Sequence, residues 1–168
     1  MAGQLVQVAT NTVTSSVASV TLTGIDSNDV YMVAFNNVYA SADSEFYLRV
    51  TKSGTADTTA NYDYVHKVLN QVGNSNGNVT NDTKTHLENI STTANNELAN
   101  GIIYLYNFNS SSEYSFYTYE QSCRNISGQL SAPTGGGVHT VASTSDGVQF
   151  TLNSNNITNG TFTLYKLV

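Results

Sequence analysis

Apolar residues recur along this chain at every second position. In SVTLTGI, Val20 and Leu22 alternate with Ser19, Thr21 and Thr23. In EFYLRVT, Phe46, Leu48 and Val50 alternate with Tyr47, Arg49 and Thr51. GVQFTLN sets Val148, Phe150 and Leu152 against Gln149 and Thr151, and GTFTLYKLV sets Phe162 and Leu164 against Thr161, Thr163 and Tyr165. Side chains of a strand alternate between the two faces of its sheet, so this period predicts strands with one dry face. Turn-forming clusters separate the runs: DSND at 26–29, SADS at 41–44, NSSS at 109–112, TSDG at 144–147 and NSNNITNG at 153–160. About eight to ten short strands are expected, with no long helix.

Two sheets must bury their apolar faces on each other. The expected fold is therefore all-β, a two-sheet antiparallel sandwich of jelly-roll type. Nothing in the sequence marks a linker or a repeat, so residues 1–168 read as one domain with a polar, loop-rich excursion around 70–98. Within the middle of the chain, NYDYVHKVLN reads as a strand or a short helix. GNSNGNVTNDT reads as an exposed loop, and KTHLENISTTANNEL leans towards a strand.

Five of the 11 tyrosines fall in GIIYLYNFNSSSEYSFYTYE, residues 101–120. If NSSS closes a hairpin with Phe108 opposite Glu113, Tyr104 faces Tyr117, Tyr106 faces Ser115 and Ile102 faces Tyr119. Leu105 and Ile103 then take the core side with Phe116 and Thr118. Tyr104, Tyr106, Tyr117 and Tyr119 would form an outer ladder of phenols, a candidate interaction surface, because tyrosine offers a rigid apolar ring with a wet end. Cross-strand pairing alone is the competing explanation. A slip of one residue changes which rings share a face, and would turn Tyr104 and Tyr106 inward with Phe116.

Composition narrows the function. Charged residues make up only 11% of the 168-residue chain, less than half the usual ~25%, and Ser, Thr and Asn fill the gap. The net charge is −6 with only six Lys and Arg, so there is no basic stripe for nucleic acid or an anionic membrane surface. No apolar run approaches the ~20 residues of a membrane-spanning helix, and MAGQLVQVATNTV lacks the pattern of a signal peptide. These features lead to the expectation of a soluble protein made in the cytoplasm, without membrane insertion.

Catalytic and metal signatures are missing. The single Cys123 cannot form an internal disulfide and reads as a small buried hydrophobe. His66, His86 and His139 show neither HxH nor HExxH spacing and read as isolated surface or edge residues. PTGGGVHT (133–140) lacks the spacing of a phosphate-binding loop and reads as a flexible turn or a close backbone approach. DSND and NDT carry oxygens without a full calcium ligand set. No GxSxG elbow accompanies the many serines. The expectation is a protein that is not an enzyme and uses no cofactor and no metal.

Five stretches carry a resemblance: SVASVTLTGI, RVTKSGTADTTANYDY, ANGIIYLYNFNSSSEYSFYTYE, GGGVHTVASTSDGVQF and the closing ITNGTFTLYKLV. Together they resemble small virion structural proteins of tailed bacteriophages, marine and cyanobacterial phages above all. The likeness spans most of the chain and is weakest over 70–98. It implies a non-enzymatic β-sandwich on the virion surface, decorating the capsid, or alternatively part of a tail fibre or a receptor- or carbohydrate-binding module. The implied partners are other virion proteins, with a host-surface glycan in the second case. Exposed sheet edges are usually guarded by Lys or Pro, and this chain has few of either. Its faces and edges are therefore expected to be covered by further copies in a cyclic homo-oligomer, a trimer by preference.

Overall fold

The computed structural model describes residues 3–72, 77–93, 98–125 and 127–168. Among the described residues thirteen strands follow one another: β1 (Leu5–Val13), β2 (Ser19–Thr23), β3 (Tyr31–Ala40), β4 (Ser44–Lys52), β5 (Thr55–Ala56), β6 (Tyr62–Asn70), β7 (Gly77–Lys84), β8 (Leu87–Thr93), β9 (Ala99–Tyr106), β10 (Ser115–Arg124), β11 (Leu130–His139), β12 (Gly147–Leu152) and β13 (Ile157–Leu167). They form two antiparallel sheets. The larger has eight strands in the order β1-β13-β3-β9-β10-β11-β6-β7. The smaller runs β2-β12-β4, with β5 and β8 both pairing with the far side of β4.

Set aside β5, β6, β7, β10 and β11, and the remaining strands face each other as β1-β13-β3-β9 over β2-β12-β4-β8. That is the winding of an eight-stranded double-sheet jelly roll. The other strands are additions. β6 and β7 arise in the connection from β4 to β8, and β10 and β11 in the connection from β9 to β12. Four of these five added strands extend the larger sheet beyond β9, which makes it twice as wide as the jelly roll requires.

The period-two reading holds where one face is dry. Val20, Leu22, Phe46, Leu48, Val50, Val148 and Phe150 are all at most 1% exposed. They meet Val33, Phe35, Ile103, Leu105, Phe162 and Leu164 of the larger sheet. At the centre Phe35 and Phe162 interlock with Phe46 and Phe150; Phe46 and Phe150 lie 5.4 Å apart and Phe150 and Phe162 5.0 Å. Rings at this spacing add specific contact to area burial. Cys123 is buried, as expected of a small hydrophobe.

Several expectations change. NYDYVHKVLN forms strand β6 from Tyr62 onward. The expected loop GNSNGNVTNDT contributes β7, while its residues 73–76 lie outside the described residues. β8 is the strand favoured within KTHLENISTTANNEL, whose residues 94–97 are likewise outside them. PTGGGVHT is no turn: Gly135, Gly136 and Gly137 sit mid-strand in β11, paired on one side with β10 and on the other with β6. Close approach is the reason. A Cβ at Gly137 would overlap the Tyr117 ring, and one at Gly136 would come within 2.9 Å of the Tyr117 carbonyl oxygen.

Candidate functional site

The register of β9 and β10 decides which tyrosines reach the surface. Phe116 pairs with Tyr106, Tyr117 with Leu105, Thr118 with Tyr104 and Tyr119 with Ile103. This is one residue away from the expected hairpin, and the four-ring ladder is split. Tyr117 and Tyr119 share the inner face with Leu105 and Ile103 and are 1% and 2% exposed. Tyr104 and Tyr106 remain on the outer face, beside Thr118 and Phe116. The turn explains the offset. Phe108 is drawn into the core, Asn107 takes a left-handed φ of 60°, and Ser110 Oγ accepts hydrogen bonds from the amides of Ser112 and Glu113. Ser145 N–H donates to the Phe108 carbonyl at 2.6 Å and pins the loop to the β11–β12 connection. The NSSS segment is thus a folded loop with a hydrophobic anchor, not a tight hairpin end.

Buried tyrosines need partners for their hydroxyls. Tyr64 donates to Glu88 Oε2 at 2.6 Å, and Tyr117 to the Glu88 carbonyl at 3.3 Å. Burial, chiefly, pushes the Tyr64 and Tyr117 phenols up; the Glu88 carboxylate adds to this. Tyr117, one of the ladder residues, is thereby a core residue that ties β10 to β8.

The outer face of the eight-stranded sheet can be followed along the register. One row crosses Gln7, Tyr165, Met32, Tyr104, Thr118, Gly136 and Val65. A neighbouring row crosses Thr10, Thr163, Ala34, Ile102, Glu120, Thr134 and Lys67. A third holds Tyr106, Phe116, Val138 and Asp63. The charges in these rows, Glu120, Lys67 and Asp63, all stand on the added strands. The jelly-roll half, β1-β13-β3-β9, contributes only apolar, aromatic and neutral polar residues to them. A hollow of about 440 Å³ on this half is walled by Leu5, Met32, Tyr104 and Leu167, and a second of about 520 Å³ runs from Tyr104 and Tyr106 across β10 to Glu120 and Thr134. Tyr104 is the ridge between the two.

The opposite outer face, that of the smaller sheet, is polar. Tyr47 donates to Glu45 Oε2 at 2.8 Å and stacks on His86 with ring centroids 3.5 Å apart. Arg49 donates to the Thr85 carbonyl and to Thr151 Oγ1, and Gln149 to Thr21 Oγ1. These groups satisfy one another within the chain.

The histidines are not the isolated surface residues expected. His139 is fully buried; its Nε2 lies 3.1 Å from Asp57 Oδ2 and its ring packs on Tyr62 at 4.8 Å. Burial lowers the His139 pKa, against the opposing pull of Asp57. For Asp57 burial acts upward, but hydrogen bonds from Thr59 and the nearby His139 and Lys52 outweigh it and hold the carboxyl at about 2. His86 is held down to about 4 by burial and by the Arg49 charge. The Asp57–His139 pair resembles part of a hydrolytic site, yet a 0% exposed imidazole offers nothing to a substrate. It ties the connection between β5 and β6 to the end of β11. Among the described residues no group of three or more His, Cys, Asp or Glu is arranged to hold a metal ion, and no helix is long and apolar enough to cross a membrane.

No family model matches the chain, and no curated protein is significantly similar to it in sequence.

Proposed function

We propose that this chain is a non-enzymatic structural subunit of a bacteriophage particle surface, a capsid-decoration protein that assembles with copies of itself through the outer face of β1-β13-β3-β9. One observation carries the reading: the two outer faces differ in kind. The smaller sheet presents paired polar groups, whereas the jelly-roll half of the larger sheet presents Tyr104, Tyr106, Tyr165, Leu5 and Leu167 without a charge in its rows. Interface cores are depleted in charge and enriched in tyrosine and methionine. Four strands at ~4.8 Å and eight residues at ~3.3 Å span on the order of 500 Å² in plan. Side-chain relief adds to this, towards the ~800 Å² that each partner brings to a standard interface.

The place on a virion rests on the sequence resemblance; the face supports assembly and contact over chemistry. A trimer suits a face used by every copy about one axis. The other half of the sheet and the surrounding loops are left to meet neighbouring virion proteins. The test is an electron-microscopy map of the particle whose genome encodes the chain. The expected result is density for a jelly roll on the outside of the head, eight-stranded sheets facing the local axis. Particles that lack the protein, or copies whose Tyr104 faces solvent, would refute it.

A further inference from the structure

The added strands build a hollow of their own. About 480 Å³ in volume, it is lined only by β6, β7, β10 and β11, and so by nothing that the jelly roll needs. Its walls are Phe116 and Val65, 44% and 54% exposed, with Val138 next to Phe116 in the register and Gly136 next to Val65. Its floor is Gly136, where the missing Cβ leaves the strand bare. At one end stand two carboxylates, Asp63 and Asp82. The β6–β7 register shifts there, so Asp82 and Thr83 share the place opposite Asp63. The Thr83 N–H donates to Asp63 Oδ1 at 2.9 Å and fixes that carboxylate.

Among the described residues neither Asp63 nor Asp82 is within ion-pair distance of a Lys, Arg or His. An exposed phenyl ring and two unneutralised carboxylates on one hollow are complementary to a single kind of group: a cation on an apolar stem. We propose that this hollow receives a lysine or arginine side chain of a basic partner protein. Phe116, Val138 and Asp63 lie in one row on three adjacent strands, so ring and carboxylate stand about 10 Å apart. A cation over Val138 lies within ~6 Å of the ring face and in reach of the acids. Its methylenes cover Val65 and Val138, as long cationic side chains do on apolar surface.

A second copy of this chain is a poor donor. Four of its six cations are already held: Arg49 by Thr85 and Thr151, Lys52 by Asp57, Arg124 by Gly128, and Lys166 by Asp26 and Asp29. The other two, Lys67 and Lys84, stand on β6 and β7, the hollow's own strands. The occupant is therefore a different chain, and the site is separate from the self-assembly face.

The probe is N-acetyl-arginine methylamide, titrated into the whole protein and followed by backbone amide shifts. Saturable shifts at Val65, Phe116 and Val138 are expected, and they weaken when salt is raised to ~0.3 M. The Asp63→Asn/Asp82→Asn double variant binds roughly five- to tenfold more weakly, the scale for two exposed ion pairs. Asn keeps an acceptor for the Thr83 N–H, so the bulge is retained. Phe116→Leu, which keeps the apolar wall, also weakens binding by removing the ring face. Shifts that do not saturate overturn the proposal. So does a methyl glucoside that shifts the same amides equally well and is indifferent to the double variant, which would mark a sugar site. The assembled mass of the wild-type protein is read separately, so failure of this site leaves the assembly reading standing, and the converse.

Discussion

Tyr117 and Tyr104 stand on neighbouring strands, yet one carries stability and the other surface character. Tyr117→Ala removes a ring packed on Tyr119 and Gly137 and strands a buried hole, and is expected to cost about 3–5 kcal/mol in urea unfolding. Tyr104→Ala is expected to cost about 1 kcal/mol or less, as partly exposed positions do. Equal losses at the two sites would contradict the register. The titrating side chains set the response to acid. His86 is neutral in the folded chain down to about pH 4, whereas its unfolded reference is 6.5. Between these values the unfolded state binds more protons, so stability falls as pH falls. His139 acts in the same direction, and Asp57 continues the loss from 3.8 towards about 2. Melting temperature should therefore drop steadily from pH 7 to pH 4, and His86→Gln should flatten part of that slope. A melting point that rises on acidification would contradict these assignments.

At the scale of elements, legibility followed side chains. β2, β4, β12 and β13 show plain alternation because each buries one face, and the fold class follows from them. β7 and β11 do not. β7 is an edge strand dominated by Gly, Asn, Asp and Thr, held by backbone pairing with β6, so composition alone reads it as loop. β11 has glycines where neighbours fill the space: the Tyr117 ring occupies the volume that a side chain at 137 would claim. Local propensity was overridden by packing there. The tyrosine stretch was legible as a concentration of rings, but the faces depend on a one-residue register that the buried Phe108 sets, and nothing local announces it. Gly137→Val is a direct check: overpacking should cost about 1–3 kcal/mol and accelerate amide exchange first in β10 and β11. Unchanged exchange there would mean the strand tolerates a side chain.

The whole molecule is a jelly roll with one sheet doubled in width. The jelly-roll half of that sheet offers an uncharged aromatic face, and the added half carries the charges and the acidic hollow. On this division rest the two proposals, self-association through one half and recognition of a different, basic chain by the other. The central claim is the first, and the most direct measurement is the molar mass of the purified protein by light scattering across a range of concentration. The expected result is a stable assembly, three chains of 18.0 kDa by preference, that Tyr104→Glu converts to monomer without lowering the melting temperature of the folded subunit. A wild-type monomer at every concentration, or an assembly that a charge at Tyr104 leaves intact, would contradict it.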